Sequence, residues 1–436
     1  MSKQNKPHEL TPELRFPSFR GNTGWATKPL GSLTTPITER VGDSDCVPYT
    51  VTSGEGLISQ DDKYGRTIAG KSLKSYYKLE HNDFAFNKSA TKLFPQGYIA
   101  RYQDEDDAAV PNSIFTCFRI SGDELDAAYL DYLFQGNLHG RWLRHYITVG
   151  ARAHGALNIS DDDLYALPVP IPQGEQTKAE QQEIADCLGS LDAWIAAERR
   201  KLSALHDHKR GLMQQLFPPL GQTHPPRRFP EFHNSRAWQP VVVDKMAKVQ
   251  SGGTPSKSNP DYWGGTIPWV SAKDMKSVRL ADTEDHVTDL AIADGAKEVP
   301  AGTVLILTRG MTLLKDVPVC LIQRPMTYNQ DVKALLPRKG VVSEFLTYLL
   351  LASKASIRAL VDTAGHGTGR LNTDDLKGLE LSKPEPEEQR RIADCLTALD
   401  DRITAQAAKL DALATHKRGL MQQLLPLPET FREART

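Results

Sequence analysis

Two stretches of this chain are nearly one stretch written twice. Residues 180–218 read EQQEIADCLGSLDAWIAAERRKLSALHDHKRGLMQQLFP, and residues 388–426 read EQRRIADCLTALDDRITAQAAKLDALATHKRGLMQQLLP. They align without a gap, Ile184 on Ile392 and Lys209 on Lys417, and about 25 of roughly 39 positions are identical. Chance does not produce this, so the chain carries an internal duplication.

Each copy predicts a helix that needs a partner. Apolar residues recur at Ile184, Leu188, Leu191, Ile195, Leu202, Leu205, Leu212 and Leu216, and again at Ile392, Leu396, Leu399, Ile403, Leu410, Leu413, Leu420 and Leu424. With the polar positions Glu198 and Lys209, or Gln406 and Lys417, counted on the same seam, the steps alternate four and three, as in a coiled coil. No proline interrupts either copy before Pro218 or Pro426, so each helix spans roughly 55 Å. A narrow seam repeated in both copies suits pairing of the helices with each other better than separate packing on two cores. Two equivalent halves pack most simply about a two-fold axis, which runs the helices antiparallel.

The duplication extends beyond the helices. Arg15-Phe16-Pro17-Ser18-Phe19 with Trp25 has a counterpart in Arg228-Phe229-Pro230-Glu231-Phe232 with Trp238, and Gly155-Ala156-Leu157-Asn158 has one in Gly369-Arg370-Leu371-Asn372. A proline-containing stretch, 168–172 or 384–386, then precedes each helix. The order is variable segment, helix, variable segment, helix. Both variable segments read as mixed α/β: strand-like runs at 83–86, 98–100, 113–118, 303–307, 317–322 and 331–336, and helix-like runs at 125–133 and 343–351. Long polar loops such as 251–259, SGGTPSKSN, separate them, and loops of that size on a scaffold usually carry function.

Composition bounds the function. The chain has 25% charged and 39% hydrophobic residues and a net charge of −1, which argues against a non-specific polyanion binder but not against a specific DNA reader with a local basic face. It has no run of about 18 apolar residues and no apolar stretch at the start, so the expectation is a cytoplasmic protein that does not enter a membrane. Cys46, Cys117, Cys187, Cys320 and Cys395 are scattered and form no C-x-x-C pair, which fits reduced thiols and no metal site.

Motifs for catalysis fail on inspection. Gly65 to Ser72, GRTIAGKS, satisfies the phosphate-loop pattern, but Gln60-Asp61-Asp62-Lys63-Tyr64 before it cannot be a buried strand. Pro260-Asp261 and Lys273 suggest half of a nuclease metal site without its second carboxylate. Gly365 to Gly369 lacks the strand and acidic residue of a dinucleotide site. What remains is polar, aromatic and basic loop chemistry, in two sets. The first is Tyr64, Arg66, Lys71, Asn87, Lys88, Arg101, Arg141, Arg144, Arg152 and His154. The second is Thr254, Ser256, Lys257, Lys273, Arg309, Lys315, Asn329, Gln330, His366 and Arg370. Arg, Lys, Asn and Gln read base edges, and Ser, Thr and Lys in glycine-rich loops suit phosphates. Trp263 and Trp269 belong more naturally to a core than to a stacking platform.

On these residues the chain resembles the specificity subunits of type I restriction-modification systems. The resemblance rests on Thr254-Pro255-Ser256, Tyr262-Trp263-Gly264-Gly265, Ile267-Pro268-Trp269-Val270 and Lys273-Asp274-Met275. It rests also on Asn329-Gln330, Leu157-Asn158, Leu371-Asn372, Glu388-Gln389, Ile392-Ala393 and the run from Lys417 to Leu424. The first variable segment lacks the T-P-S…Y-W-G-G opening, so contacts do not transfer between the two. The resemblance implies an α+β chain: two mixed α/β target-recognition domains separated by two long helices that form an antiparallel coiled coil, a pseudo-two-fold internal repeat. The expected boundaries are a first recognition domain at 1–174, a helix at 175–217, a proline-rich connector at 218–227, a second recognition domain at 228–386, a helix at 387–426 and a tail at 427–436. It implies a non-catalytic subunit that reads a bipartite site in double-stranded DNA and docks two modification (methyltransferase) subunits and restriction subunits. No cofactor is expected on this chain; S-adenosylmethionine, ATP and magnesium are expected on the partners. Two other readings share the architecture, the recognition module of another defence system and a non-catalytic coiled-coil scaffold.

The modular reading makes a prediction. Exchanging residues before about Gln176 for those of a relative should change one half of the methylated sequence and leave the other intact, as read by methylome sequencing. A change in both halves would contradict it.

Overall fold

The computed structural model describes residues 10–52, 54–147, 157–363 and 367–428. The chain forms two compact units, Met1–Glu198 with Lys409–Thr436, and Arg199–Ala408. Each unit thus holds one variable segment and half of each long helix.

In the first unit, β1 (Trp25–Pro29) pairs antiparallel with β10 (Pro168–Pro172). A four-stranded antiparallel sheet has the order β2 (Thr34–Pro36), β9 (Phe115–Ile120), β6 (Phe84–Asn87), β7 (Tyr98–Arg101). A second has the order β4 (Gly56–Ser59), β3 (Val47–Thr52), β8 (Ala108–Val110), β5 (Tyr77–Leu79), with β3 and β8 parallel. Short helices are α1 (Leu30–Leu33), α2 (Gln60–Tyr64), α3 (Ala127–Gln135), α4 (Leu138–Leu143) and α5 (Asp161–Tyr165). Phe84 stacks on Phe118 at 5.3 Å and meets Phe134 of α3 edge-on at 5.7 Å, a contact that fixes the helix over the sheet. Asp126 caps α3, its Oδ1 accepting from the Tyr129 N–H at 2.9 Å. The long helix α6 (Thr177–Leu216) follows.

The second unit repeats this plan. β11 (Gln239–Val242) pairs antiparallel with β24 (Glu380–Lys383). A five-stranded sheet has the order β12 (Ala247–Ser251), β21 (Val332–Pro337), β17 (Val304–Leu307), β19 (Val319–Ile322), β14 (Arg279–Leu280). A four-stranded sheet has the order β15 (His286–Val287), β13 (Trp263–Val270), β20 (Met326–Tyr328), β16 (Glu298–Val299), with β13 and β20 parallel. A small sheet adds β18 (Arg309–Gly310), β23 (Gly369–Leu371) and β22 (Val361–Thr363). The helices are α7 (Val243–Met246), α8 (Asp289–Ala293), α9 (Ser343–Ala352), α10 (Lys354–Ala359), α11 (Thr373–Gly378) and the long α12 (Pro386–Leu424). The order β2-β9-β6-β7 matches β12-β21-β17-β19, β4-β3-β8-β5 matches β15-β13-β20-β16, and the same central pair is parallel in each. The duplication therefore reaches the interior of the variable segments, where the residues have diverged past recognition.

The long helices pair antiparallel. In the first unit Lys409 ion-pairs with Glu198 and Lys417 with Asp192 at 2.6 Å, so partner numbers fall as numbers rise. The two polar seam lysines make equivalent nodes. Lys417 lies 5.0 Å from the Tyr132 ring, and the Tyr132 hydroxyl donates to Asp192 at 2.9 Å. In the second unit Lys209 pairs with Asp400 at 2.5 Å and lies 5.4 Å from the Tyr348 ring, and the Tyr348 hydroxyl donates to Asp400 at 2.8 Å. Burial, with the adjacent carboxylate, pushes both tyrosine hydroxyls well above their ordinary range. Each node joins α6, α12 and the domain helix α3 or α9.

Of the helix-pairing residues, Ile184, Leu188, Ile392, Leu396, Leu399 and Leu413 are buried, whereas Leu191, Ile195, Leu202, Leu205, Ile403 and Leu410 are half-buried. The gradient has a physical reason. Ile184, Leu188, Met421 and Leu424 join the first domain's core, and Leu216, Ile392 and Leu396 join the second's, while the half-buried six belong to neither. Cys187 and Cys395 are half-buried.

Each domain is clamped to its helix by one buried carboxylate. Glu180 is 1% exposed; it accepts from Arg15 Nε at 2.7 Å, from Arg15 Nη2 at 2.8 Å and from Trp25 Nε1 at 3.2 Å. Glu388 is 2% exposed; it accepts from Arg228 at 2.7 and 2.6 Å and from Trp238 Nε1 at 3.3 Å. The next residue completes the clamp. Gln181 accepts from the Asp126 N–H and donates to Glu124 O, both at 2.9 Å. Gln389 accepts from the Val342 N–H at 2.9 Å and donates to Gly340 O at 3.0 Å and Pro384 O at 2.8 Å. The repeated R-F-P…W and E-Q motifs are the two sides of this contact.

The connector at 218–227 is hydrogen-bonded to its surroundings. The Trp238 N–H donates to Thr223 O at 3.0 Å, the Ser382 hydroxyl to Gln222 O at 2.9 Å, and the Arg227 N–H to Gln215 O at 2.9 Å. Proline restricts the chain here, and the free carbonyls are taken up by the second domain.

The clamp predicts a stability effect. Arg15→Ala leaves the Glu180 carboxylate buried without its partner and should cost roughly 3 kcal/mol in denaturant unfolding of the first unit, with Arg228→Ala doing the same to the second. A loss under about 0.5 kcal/mol, the range of ordinary surface substitutions, would show that the clamp does not hold the domain.

Candidate nucleic-acid interface

The second domain gathers polar and basic groups at one end of its five-stranded sheet, where β12 and β17 finish and β21 begins. The Lys333 ammonium donates to Ser251 Oγ at 2.8 Å across the β12–β21 ladder. Arg309 stands opposite Arg370 in the β18–β23 ladder, both exposed. The Leu371 N–H donates to Thr308 O at 2.9 Å and the Thr308 N–H to Asp331 O at 2.7 Å, which ties β23, β17 and β21 into one corner. Burial holds the Lys333 ammonium below the usual lysine range; Asp331 opposes this, and the charges of Lys297 and Arg309 add to it. Arg309, Lys333 and Arg370 thus lie at one corner of the sheet together with Asp331, and Lys297 is near enough for its charge to act on Lys333.

Beside this corner the loop 251–259 is a fixed platform. Thr254 Oγ1 hydrogen-bonds Gln330 Oε1 at 2.6 Å, and the Gly253 N–H donates to Tyr328 O at 2.9 Å. Trp269 Nε1 donates to Gly253 O at 3.1 Å and Trp263 Nε1 to Ser256 O at 3.2 Å, the two indoles meeting edge-on at 5.1 Å. A Cβ on Gly252 would fall 2.2 Å from Tyr328 O, so glycine is required there. Ser256 and Lys257 are exposed on this platform, the Ser256 hydroxyl 2.8 Å from that of Ser258.

The structure separates other candidates from the corner. Lys273 is held between Glu284 at 2.9 Å and Asp285 at 3.0 Å, which pushes its ammonium up. Asn329 is 8% exposed and spends its Oδ1 on the Asp331 N–H, a turn rather than a base contact. Lys315 is exposed in the loop beyond Arg309. His366 lies outside the described residues. Sequence reasoning missed Lys297 and Lys333. The signal for Lys333 was a lysine in the otherwise apolar strand β21.

In the first domain the equivalent corner is wired differently. The Leu157 N–H donates to Lys88 O at 2.8 Å, as Leu371 does to Thr308. Lys88 is neutralised by Asp161 at 2.7 Å, and Thr116 Oγ1 donates to the same carboxylate at 2.8 Å. Asn87 accepts from the Ser89 N–H at 2.9 Å. Arg101 is half-buried, donating to Asn82 Oδ1 at 3.1 Å with Asp131 3.8 Å from its Nε. Arg141 is half-buried on α4, and Arg144 is exposed just beyond it. Tyr64 and Arg66 are exposed around the Gly65 turn. Arg152, His154 and the side chain of Lys71 lie outside the described residues.

The phosphate-loop pattern at 65–72 forms no cradle. Gln60 Oε1 accepts from the Ile68 N–H at 2.9 Å and the Ala69 N–H at 3.1 Å, a helix rather than a strand precedes the loop, and a 3-10 turn, Gly70–Ser75, follows. Among the described residues no group of three or more His, Cys, Asp and Glu side chains could hold a metal ion, and no helix is long and apolar enough to cross a membrane.

Residues 235–414 match the family described as type I restriction modification DNA specificity domain. The EcoR124I/EcoR124II specificity subunit of Escherichia coli is 27% identical over 245 residues, 56% of this chain and 57% of that one. The MjaIX specificity subunit of Methanocaldococcus jannaschii is 33% identical over 171 residues, 38% of each chain. The chain thus spans about half or less of the length of these two relatives, while the putative MjaX specificity subunit of the same organism is 22% identical over 410 residues, 89% of this chain and 86% of that one. Among solved structures, the type I restriction-modification S subunit from M. genitalium superposes with a TM-score of 0.57 at 15% identity, covering 96% of this chain and 99% of that one. A chain from a structure addressing complex assembly and conformational transition of the type I R-M system gives 0.54 at 18% identity, with the same coverage. Residues 235–414 thus match the type I restriction modification DNA specificity domain, and the chain as a whole is similar in sequence and in its two-domain, two-helix fold to the specificity subunits of type I restriction-modification systems.

Proposed function

We propose that this chain is the non-catalytic, DNA-reading subunit of a type I restriction-modification complex. Each variable domain reads one part of a split site in double-stranded DNA. The paired helices set the separation of the two readers and dock two modification subunits and, through the assembly, the restriction subunits. The chain holds no cofactor; S-adenosylmethionine, ATP and magnesium belong to the partners. The observation that carries this reading is the cationic corner of Lys297, Arg309, Lys333 and Arg370 beside the Thr254–Gln330 platform, inside the segment that matches the DNA specificity domain. The exposed arginines suit a phosphate backbone, and the platform supplies hydroxyl and amide groups suited to base edges.

Two measurements test it, both on the chain assembled with its modification subunits. Arg309→Ala and Lys333→Ala should each weaken DNA binding across sequences and reduce the slope of log affinity against log salt by about 0.9. Unchanged slopes would remove the corner from the interface. One heptad added at matched positions of α6 and α12 keeps the seam and lengthens the arm by about 10 Å, so the unread spacer of the methylated motif should grow by about three base pairs. A spacer of unchanged length would deny the helices the role of ruler.

A further inference from the structure

We propose that each domain carries an apolar fingertip that touches base pairs: Leu93 in the first and Met311 in the second. This rests on the DNA-reading function above.

The two residues sit in corresponding loops. Leu93 lies between β6 and β7, Met311 between β17 and β19, and these strand pairs hold matching places in their sheets. Each is the most exposed large apolar side chain among the described residues of its unit, Leu93 at 81% and Met311 at 63%. One exposed leucine or methionine means nothing. Two at corresponding loops of domains whose sequences have otherwise diverged is a pattern.

Both loops are stiff, so the exposure is not that of a floppy tip. In the first, the Phe94 N–H donates to Thr91 Oγ1 and the Thr91 N–H to Phe94 O, both at 3.1 Å, and the Phe94 ring packs edge-on against Tyr98 at 4.8 Å. Gly97, at φ +84°, closes the loop where a Cβ would strike Asn87 O at 2.6 Å. In the second, Leu313 is fully buried as an anchor, the Lys315 N–H donates to Thr312 O at 2.9 Å, and Asp316 pairs with Lys354 at 2.7 Å. An apolar residue beside a buried or packed anchor is thus held out to solvent, in a fixed place, in both domains.

The surroundings indicate the occupant. Lys92 precedes Leu93; Arg309 precedes Met311 by two residues and Lys315 follows it by four. An apolar tip flanked by cations does not suit another protein's apolar surface, which would have to desolvate those charges. It suits a DNA groove, where cations meet phosphates while an apolar side chain contacts a thymine methyl or a base step.

The test is selection of bound sequences from a pool of random duplex DNA by the full chain assembled with its modification subunits. The wild type should select a motif in two halves. Met311→Ser should lose discrimination about tenfold at one or two adjacent positions of one half, and Leu93→Ser should do the same in the other half. Salt slope should stay as in the wild type, and the untouched half of each motif reports that the variant is folded. A Leu290→Ser control, exposed on α8 of the second domain, should select the wild-type motif. The proposal is overturned if the wild type selects a motif and both fingertip variants select it unchanged, or if they weaken binding uniformly with a reduced salt slope. A wild type that selects no motif overturns the DNA-reading function itself, and the fingertips with it.

Discussion

The structure depends on a buried carboxylate used twice. Glu180 and Glu388 each lie in the first turns of a long helix with almost no exposure, and each is satisfied by an arginine fork and an indole N–H from the start of its own variable domain. A charge taken out of water is tolerated only when every lone pair is met in good geometry. A domain that tilts on its helix would break several of these bonds at once. The lock therefore defines where the domain sits with respect to the helix segment it packs on. The neighbouring glutamines, Gln181 and Gln389, extend it to the backbone entering α3 and α9. The Tyr–Asp–Lys nodes add a third tie, joining those same helices to the pairing of α6 with α12.

With the scaffold held, the domains are free to diverge, and they have done so by changing charge at fixed positions. At the end of the central sheet in the first domain Asp161 takes both Lys88 and Thr116. In the second domain the same corner concentrates cations around Lys333. The two domains thus share one topology and differ in chemistry.

The sequence was most informative where the residues have stayed alike. The helix pair, its seam and the flanking R-F-P…W and E-Q motifs could all be read from the repeat, and the strands of the central sheets from their apolar runs. The shared topology of the variable domains could not, because Val47-Pro48 and Trp269-Val270 fill equivalent parallel strands with unlike residues, and hydrophobic pattern alone does not give strand order. Of the candidates named by residue type, Arg309 and Arg370 stand opposite each other in one ladder and Thr254 bonds Gln330 beside it. Lys88, Lys273 and Asn329 have the same type but are spent on Asp161, on Glu284 with Asp285, and on a turn. Lys333 carried a sequence signal, a lysine in an otherwise apolar run, but such a lysine reads as an edge or surface residue until Ser251 is placed beside it.

The most direct test is the methylome of cells that express this chain with its modification subunits, compared with cells that express the modification subunits alone. The account predicts methylated adenines at one asymmetric motif of two short defined sequences around an unread gap, present only when this chain is expressed. A methylation pattern that does not depend on the chain, or a single uninterrupted motif, would contradict it.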